Sequence, residues 1–211
     1  MTSAHPESGQ AYEDIADWFD RHRTRTLMEQ PYLDLLLQHL ERGAAILDLG
    51  CGTGEPILRY LLERSCAVTG VDASAAMLAI AGKRFPGTPF VHADMRSLPF
   101  GRGFDAIVAW HSLFHLPHDG QRAMFARFAR HLHPCGILMF TSGSAQGETW
   151  SDNGGALLYH ASLNSAEYRG LLEANGFRVL RHTQDDAACG GATVWIAQYR
   201  PGESDETAPR L

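Results

Sequence analysis

The segment Ile46-Leu47-Asp48-Leu49-Gly50-Cys51-Gly52-Thr53-Gly54-Glu55 constrains the fold more than any other part of the chain. A short apolar run ends in three alternating glycines, and helical spacing resumes over residues 56–64. An apolar run bounded by glycine, with no polar alternation, reads as a strand buried on both faces. Glycines at its end allow positive φ and let the backbone approach a ligand closely. The unpaired N–H groups at the start of the next helix face the same space. Such a strand needs parallel neighbours and a layer of helices on each side.

The rest of the chain supplies them. Residues 44–50, 67–72, 89–94, 104–110, 136–142, 177–183 and 191–200 read as strands. Helical spacing fills Tyr12 to Leu40, interrupted near Pro31 into two helices. Further helices are expected at 75–84 with Ser74 as N-cap, at 119–133 with Asp119 as cap, and at 165–174 between Ser165 as cap and Asn175-Gly176 as stop. Alternating strands and helices imply an α/β fold, a Rossmann-like seven-stranded mostly parallel sheet with helices on both faces. Residues 184–190 are too short for a crossover helix, so the last strand should run antiparallel. Residues 143–163 are Gly-rich and read as an irregular loop. The polar ends, 1–10 and 201–211, are expected to be flexible around a single domain at 11–200.

Charge and cysteine usage narrow the function. The chain has 211 residues, enough for one α/β domain, and a formal net charge of -6 without a basic run. That argues against nucleic acid and anionic membranes as partners. No apolar stretch approaches the ~20 residues of a membrane span. The opening MTSAHPESGQ lacks a signal-peptide core. Cys51, Cys66, Cys135 and Cys189 form no C-x-x-C pair, so a cytoplasmic setting without disulfides or structural zinc is expected.

The glycine loop also discriminates between ligands. A dinucleotide fingerprint is G-x-G-x-x-G. Here Gly54 falls one residue early and Glu55 stands where the third glycine belongs, which would oppose a pyrophosphate. No Gly-Lys-Ser/Thr follows, so a phosphate-binding P-loop is absent. Asp72 ends the second strand, where a carboxylate reaches ribose hydroxyls; its occurrence together with the glycine loop favours that role over capping the helix after it. Asp94 and Met95 end the third strand, a carboxylate and an apolar side chain suited to adenine.

In combination, ILDLGCGTG (46–54), GVDAS (70–74), HADM (92–95), FDAIVAW (104–110) and GILMFTS (136–142) resemble the class I S-adenosylmethionine-dependent methyltransferases. The resemblance spans residues 44–142. It implies S-adenosyl-L-methionine as cofactor and S-adenosyl-L-homocysteine as product. It places Asp48, Gly50, Cys51 and Gly52 along the methionine part, Asp72 on the ribose and Ala73 beside the adenine. Asp94 and Met95 would hold the adenine, and Trp110 would close over the sulfonium. It further implies an N-terminal helical lid at 11–42. There Tyr12, Trp18, Arg21 and Arg25 are candidates for facing the cofactor, an arginine for its carboxylate and an aromatic ring for its sulfonium.

Methyl transfer demands positioning and exclusion of water, and a base only where the acceptor carries a proton. His111 and His115 follow the fourth strand and are the candidate catalytic bases. For His115 a packing role stands as the alternative. His111, His115 and His118 lack an H-E-x-x-H arrangement, so no metal is expected. Residues 143–163, with Trp150, Tyr159 and His160, are the candidate substrate region alongside His111 and His115. Relatives that methylate DNA bases or protein glutamine carry an Asn/Asp-Pro-Pro-aromatic turn, where this chain has Ala109-Trp110-His111-Ser112. A small organic acceptor, methylated on O or N, is therefore expected, in a monomer or homodimer. An NAD(P)-dependent oxidoreductase and a non-catalytic S-adenosylmethionine-binding protein stand as alternatives.

Overall fold

The computed structural model describes residues 8–101 and 103–202. In chain order they form α1 (Ser8–His22), α2 (Gln30–Leu37), β1 (Ala45–Leu49), α3 (Ile57–Glu63), β2 (Ala67–Asp72), α4 (Ala75–Arg84) and β3 (Phe90–His92). There follow β4 (Phe104–Ala109), α5 (His118–His131), β5 (Leu132–Ser142), β6 (Gly147–Asn153), β7 (Ala156–Ser162), α6 (Ser165–Ala174), β8 (Phe177–Asp186) and β9 (Ala192–Tyr199).

Seven strands form one sheet in the order β3-β2-β1-β4-β5-β9-β8. The β1, β2, β3, β4 and β5 pairings are parallel, while β9 runs antiparallel to both β5 and β8. The final strand is thus the one that opposes the rest, as its short connection predicts. Two apolar layers sandwich the sheet, because alternate side chains of a strand point to opposite faces. Ile46 goes to one layer with Leu33 and Leu36 of α2 and Leu58 of α3. Leu47 goes to the other with Phe125 and Phe128 of α5 and Tyr168 of α6. Each such side chain, removed from water, contributes about 1.5–3 kcal/mol. With both faces covered, the open positions lie at the strand ends.

Strand order reverses between β1 and β4, so their C-terminal ends leave a crevice. Ser112 closes its base, its Oγ donating to the Leu49 carbonyl at 2.6 Å. The close fit requires glycine at position 50, where φ is +74° and a Cβ would overlap the Ser112 side chain.

Several boundaries differ from expectation. Residues 143–163 are not irregular: β6 and β7 pair as a separate two-stranded hairpin, with Trp150 opposite Tyr159. Gly154 and Gly155 close it at φ +64° and +88°, as a two-residue turn matched to strand twist requires. The cap of α6 is Asn164, whose side chain accepts from Glu167 N at 2.9 Å; Ser165 is already helical. Pro117 occupies the cap position of α5, and Asp119 in the first turn pairs instead with Arg122 at 2.7 Å. Ser74 caps α4 as expected, accepting from Met77 N at 3.1 Å. β5 starts at Leu132, inside the span expected to be helical. Helix α1 takes in Ser8–Gln10 of the N-terminal span expected to be flexible. The remainder of that span and residues 203–211 lie outside the described residues.

Candidate active site

A cavity of about 870 Å³ opens at the β1–β4 crevice, roofed by α1 and flanked by the β6–β7 hairpin. Its floor is the glycine loop. Gly50 N and Cys51 N donate to the Val71 carbonyl at 2.8 and 3.0 Å, pinning the loop to β2. Asp72 at the end of β2 accepts Gly52 N on Oδ2 at 2.8 Å and Ser74 N on Oδ1 at 2.9 Å. Each oxygen retains a lone pair for a ligand, so the capping and ligand-binding readings of Asp72 are compatible. Burial raises the Asp72 pKa against its backbone hydrogen bonds.

Asp48 is 4% exposed, lines the cavity and has no side-chain hydrogen-bond partner among the described residues. Burial, then the neighbouring Asp72 charge, push its pKa up to about 7. An unpaired buried carboxylate is costly unless a cation reaches it. Gly52, at φ +54°, has open space where a Cβ would stand, the nearest atom being Phe19 Cε1 at 3.9 Å. These features fit a ligand that brings positive charge and hydroxyls to the floor. Glu55, by contrast, is spent on Arg59 at 2.9 and 3.0 Å. Its charge is compensated, so the case against a pyrophosphate here rests on the shortened glycine spacing.

The roof is docked at two places. Glu13 Oε2 accepts from Ser74 Oγ at 2.7 Å and Ala76 N at 2.9 Å, capping α4 from another helix. Tyr12 donates its hydroxyl to His115 Nε2 at 3.0 Å. Of Tyr12, Trp18, Arg21 and Arg25, only Tyr12 lines the cavity. Trp18 stacks on His22 at 4.6 Å and packs against the hairpin turn at Gly154. Arg25 pairs with Asp20 at 3.4 Å on the surface, and Arg21 is exposed. The cavity instead receives Glu13, Phe19 and Arg23. Phe19 and Arg23 follow Tyr12 by seven and eleven residues, whole helical turns that keep one face, whereas Trp18 falls on another. Arg23 Nε donates to the Glu55 carbonyl at 3.1 Å and lies over Phe19 at 5.4 Å.

Farther along the floor, Ala73, Asp94 and Met95 line the cavity. Burial favours protonation of Asp94, but hydrogen bonds from Arg96 outweigh it and hold the carboxyl below its usual range. Trp110 is buried at the end of β4, its ring 6.2 Å from Tyr32.

The opposite wall carries three imidazoles. His115 Nδ1 lies 2.9 Å from the Tyr159 carbonyl, which only accepts, so Nδ1 carries the proton and Nε2 accepts from Tyr12. Burial lowers the His115 pKa to about 4, with the Tyr159 bond acting the other way. Both nitrogens are occupied, which makes His115 a tie between roof, wall and hairpin. His111 sits at φ +49°, a conformation costly for a side chain and concentrated at functional sites. Its backbone N donates to Thr141 Oγ1 at 2.8 Å, and its ring opens into the cavity without a hydrogen-bond partner among the described residues. Crowding by protein, then the Arg23 charge, lowers the His111 pKa to about 4, so the ring is neutral at neutral pH.

Alternation along β7 sends Leu158 and His160 to the cavity and Tyr159 to the other side. His160 stacks on Phe114 at 5.1 Å and meets Ser151 Oγ at 2.9 Å. Tyr159 and Trp150, expected in the substrate region, pack edge-to-face at 5.2 Å outside the cavity. His118 turns toward the Ser162 carbonyl at 3.1 Å. Among the described residues no group of three or more His, Cys, Asp or Glu is placed to hold a metal ion. No helix among them is long and apolar enough to cross a membrane.

Fold and cavity together define a Rossmann-like domain with a covered small-ligand site. Residues 46–136 match the family described as "Methyltransferase domain". The chain is 38% identical over 107 residues to a dTDP-3-amino-3,6-dideoxy-alpha-D-glucopyranose N,N-dimethyltransferase from Streptomyces fradiae, covering 50% of this chain and 42% of that one. It is 40% identical over 124 residues to a trans-aconitate 2-methyltransferase from Acidovorax ebreus, covering 57% and 45%. The chain thus spans about half the length of the curated relatives it matches. A crystal structure of Burkholderia thailandensis 1,6-didemethyltoxoflavin-N1-methyltransferase, with that compound and S-adenosylhomocysteine bound, superposes with a TM-score of 0.72 at 23% identity, over 95% of this chain and 92% of the other. Over residues 46–136 the chain is therefore similar to the methyltransferase-domain family, and the solved structure shares its fold.

Proposed function

We propose that the chain transfers a methyl group from S-adenosylmethionine to the oxygen or nitrogen of a small organic acceptor. The observation that carries this reading is the cavity itself: an unpaired buried carboxylate, Asp48, on a glycine floor at one end, and an unpartnered neutral imidazole, His111, at the other. In this reading Asp48, Cys51 and Gly52 receive the methionyl portion, with Asp48 facing its ammonium. Arg23 takes the carboxylate in place of Arg25. Asp72 accepts from the ribose hydroxyls, and Ala73, Asp94 and Met95 border the adenine. Tyr12 and Trp110 flank the sulfonium. Gly50 serves the floor from beneath, through its contact with Ser112.

When bound, S-adenosylmethionine supplies an electrophilic methyl carbon and retains the carbon–sulfur electron pair as that bond breaks. The protein's part is to align the acceptor's lone pair with that carbon, exclude water beneath α1, and take up a proton. The free ring of His111 accepts the proton leaving the acceptor and returns it to solvent. The histidine wall and hairpin border a cavity sized for a small-molecule acceptor; a cytoplasmic setting and a monomer or homodimer are part of the same proposal.

His111→Ala is expected to lower kcat by about 10²–10⁴-fold. Affinity for S-adenosylhomocysteine, measured by calorimetry, should stay within about twofold, a limit set by an untouched cofactor floor. Normal turnover would remove His111 from the mechanism. Because its pKa is about 4, the wild-type rate should not fall through His111 protonation between pH 8 and 5, and should drop near pH 4. Incubation with S-adenosylmethionine and an acceptor panel, read as S-adenosylhomocysteine formed, tests the activity. Binding without turnover across the panel would favour a non-catalytic role.

A further inference from the structure

We propose that the acceptor is an uncharged, planar ring compound bearing an N–H or O–H group, seated on the aromatic wall formed by Phe114, His115 and His160. The inference deepens the methyltransferase reading and rests on it for the direction in which the ring must face.

Geometry comes first. Phe114 stacks against His160 at 5.1 Å with 26° between planes, and His115 meets both, at 4.8 Å in each case. His111 lies 5.7 Å from the same Phe114. These rings come from two unconnected segments, the β4–α5 link and the β6–β7 hairpin, and converge on one side of the cavity. A wall of ring faces and edges favours a flat partner in offset or edge contact. The ring nitrogens of His115 are taken by Tyr12 and Tyr159, so that residue offers a surface. His111 keeps its ring nitrogens, beside this surface, for the acceptor's polar hydrogen.

Charge then excludes the alternatives. Among the described residues lining the cavity, Glu13, Asp48, Asp72 and Asp94 are acidic beside Glu55, whose charge Arg59 balances, and only Arg23 and Arg96 are permanent cations. Arg96 is locked on Asp94. Arg23 is committed to the floor, donating to the Glu55 carbonyl and lying 3.9 Å from Glu29. Burial lowers the pKa of all three wall imidazoles, to about 4 for His111 and His115. A polycarboxylate or a diphosphate would meet the carboxylates of the floor and, among the described lining residues, no uncommitted cation at the acceptor end. Of the two relatives compared above, one is named for the tricarboxylate trans-aconitate and the other for a dTDP-sugar. This wall suits neither chemistry.

Calorimetry on the S-adenosylhomocysteine-loaded protein tests the proposal without turnover. The probes are 2-naphthol and 2-naphthoate, which share a ring and differ in charge, with trans-aconitate and thymidine diphosphate as anionic comparisons. The expected result is that 2-naphthol binds at least about tenfold more tightly than any of the anions. Phe114→Ala and His160→Ala should each weaken 2-naphthol by about tenfold while leaving S-adenosylhomocysteine affinity within about twofold. Tighter binding of an anion, or 2-naphthol affinity untouched by both substitutions, overturns the proposal. Failure of S-adenosylhomocysteine to bind would instead overturn the methyltransferase reading. The same naphthol and naphthoate titrations on the cofactor-free protein then decide the wall by themselves.

Discussion

Gly52→Val is expected to yield a folded protein that no longer binds S-adenosylmethionine. The added Cβ meets nothing nearer than Phe19 at 3.9 Å, so the fold accommodates it on the cavity side of the loop. The side chain would fill the space assigned to the methionyl group. Position 52 sits at φ +54°, and the strain should cost about 1–3 kcal/mol of stability, whereas affinity should fall at least about 100-fold. Gly50→Ala is the informative contrast. There φ is +74° and the new methyl group would overlap Ser112, which cannot step aside because its hydroxyl is bonded to the Leu49 carbonyl. That variant should lose more than about 3 kcal/mol in denaturant titration. Unchanged cofactor affinity in folded Gly52→Val protein would refute the assignment of the loop.

Asp48→Asn should separate stability from function in opposite directions. Asp48 has an ordinary pKa of 3.8, raised to about 7 in the fold by burial and by Asp72. The folded state therefore holds its proton more tightly than the unfolded chain does. The linked destabilisation is absent below pH 3.8, grows between 3.8 and 7, and is complete above 7. Removing the charge should stabilise the ligand-free protein by up to about 4 kcal/mol at pH 8, with thermal unfolding curves of variant and parent converging toward pH 4. Cofactor affinity should drop, since an amide cannot balance an ammonium. Parallel curves from pH 4 to 8 would show that Asp48 carries no unfavourable charge.

Local signals were the ones legible from sequence. Ile46 through Gly54 specify a strand and a turn within one short segment, the alternating spans around them give the sheet, and the short 184–190 connection gives its antiparallel last strand. The hairpin was obscured because Gly143, Gly147, Gly154 and Gly155 dilute its alternation, although Asn153-Gly154-Gly155 is a turn signal between two strand-length runs. Asn164 and Ser165 are both capping types, and only backbone geometry selects between them. Phe19 and Arg23 could have been found by carrying the helical pitch forward from Tyr12, because α1 keeps its register through to Arg23 N on the Phe19 carbonyl at 2.8 Å, whereas Glu13, the next residue round the helix, carries no such signal. His115 is different in kind. Its proton is fixed by a carbonyl 44 residues away and its lone pair by a phenol 103 residues away. No local pattern encodes such a pair.

Helix α1 is fastened to the start of α4 by Glu13 and to the wall of the cavity by Tyr12. One continuous rod therefore borders both ends of the cavity and is clasped at each. Under the proposed activity, loosening either clasp would widen the way in for both ligands at once, and coupling between the arrival of one and the departure of the other would be written into a single helix.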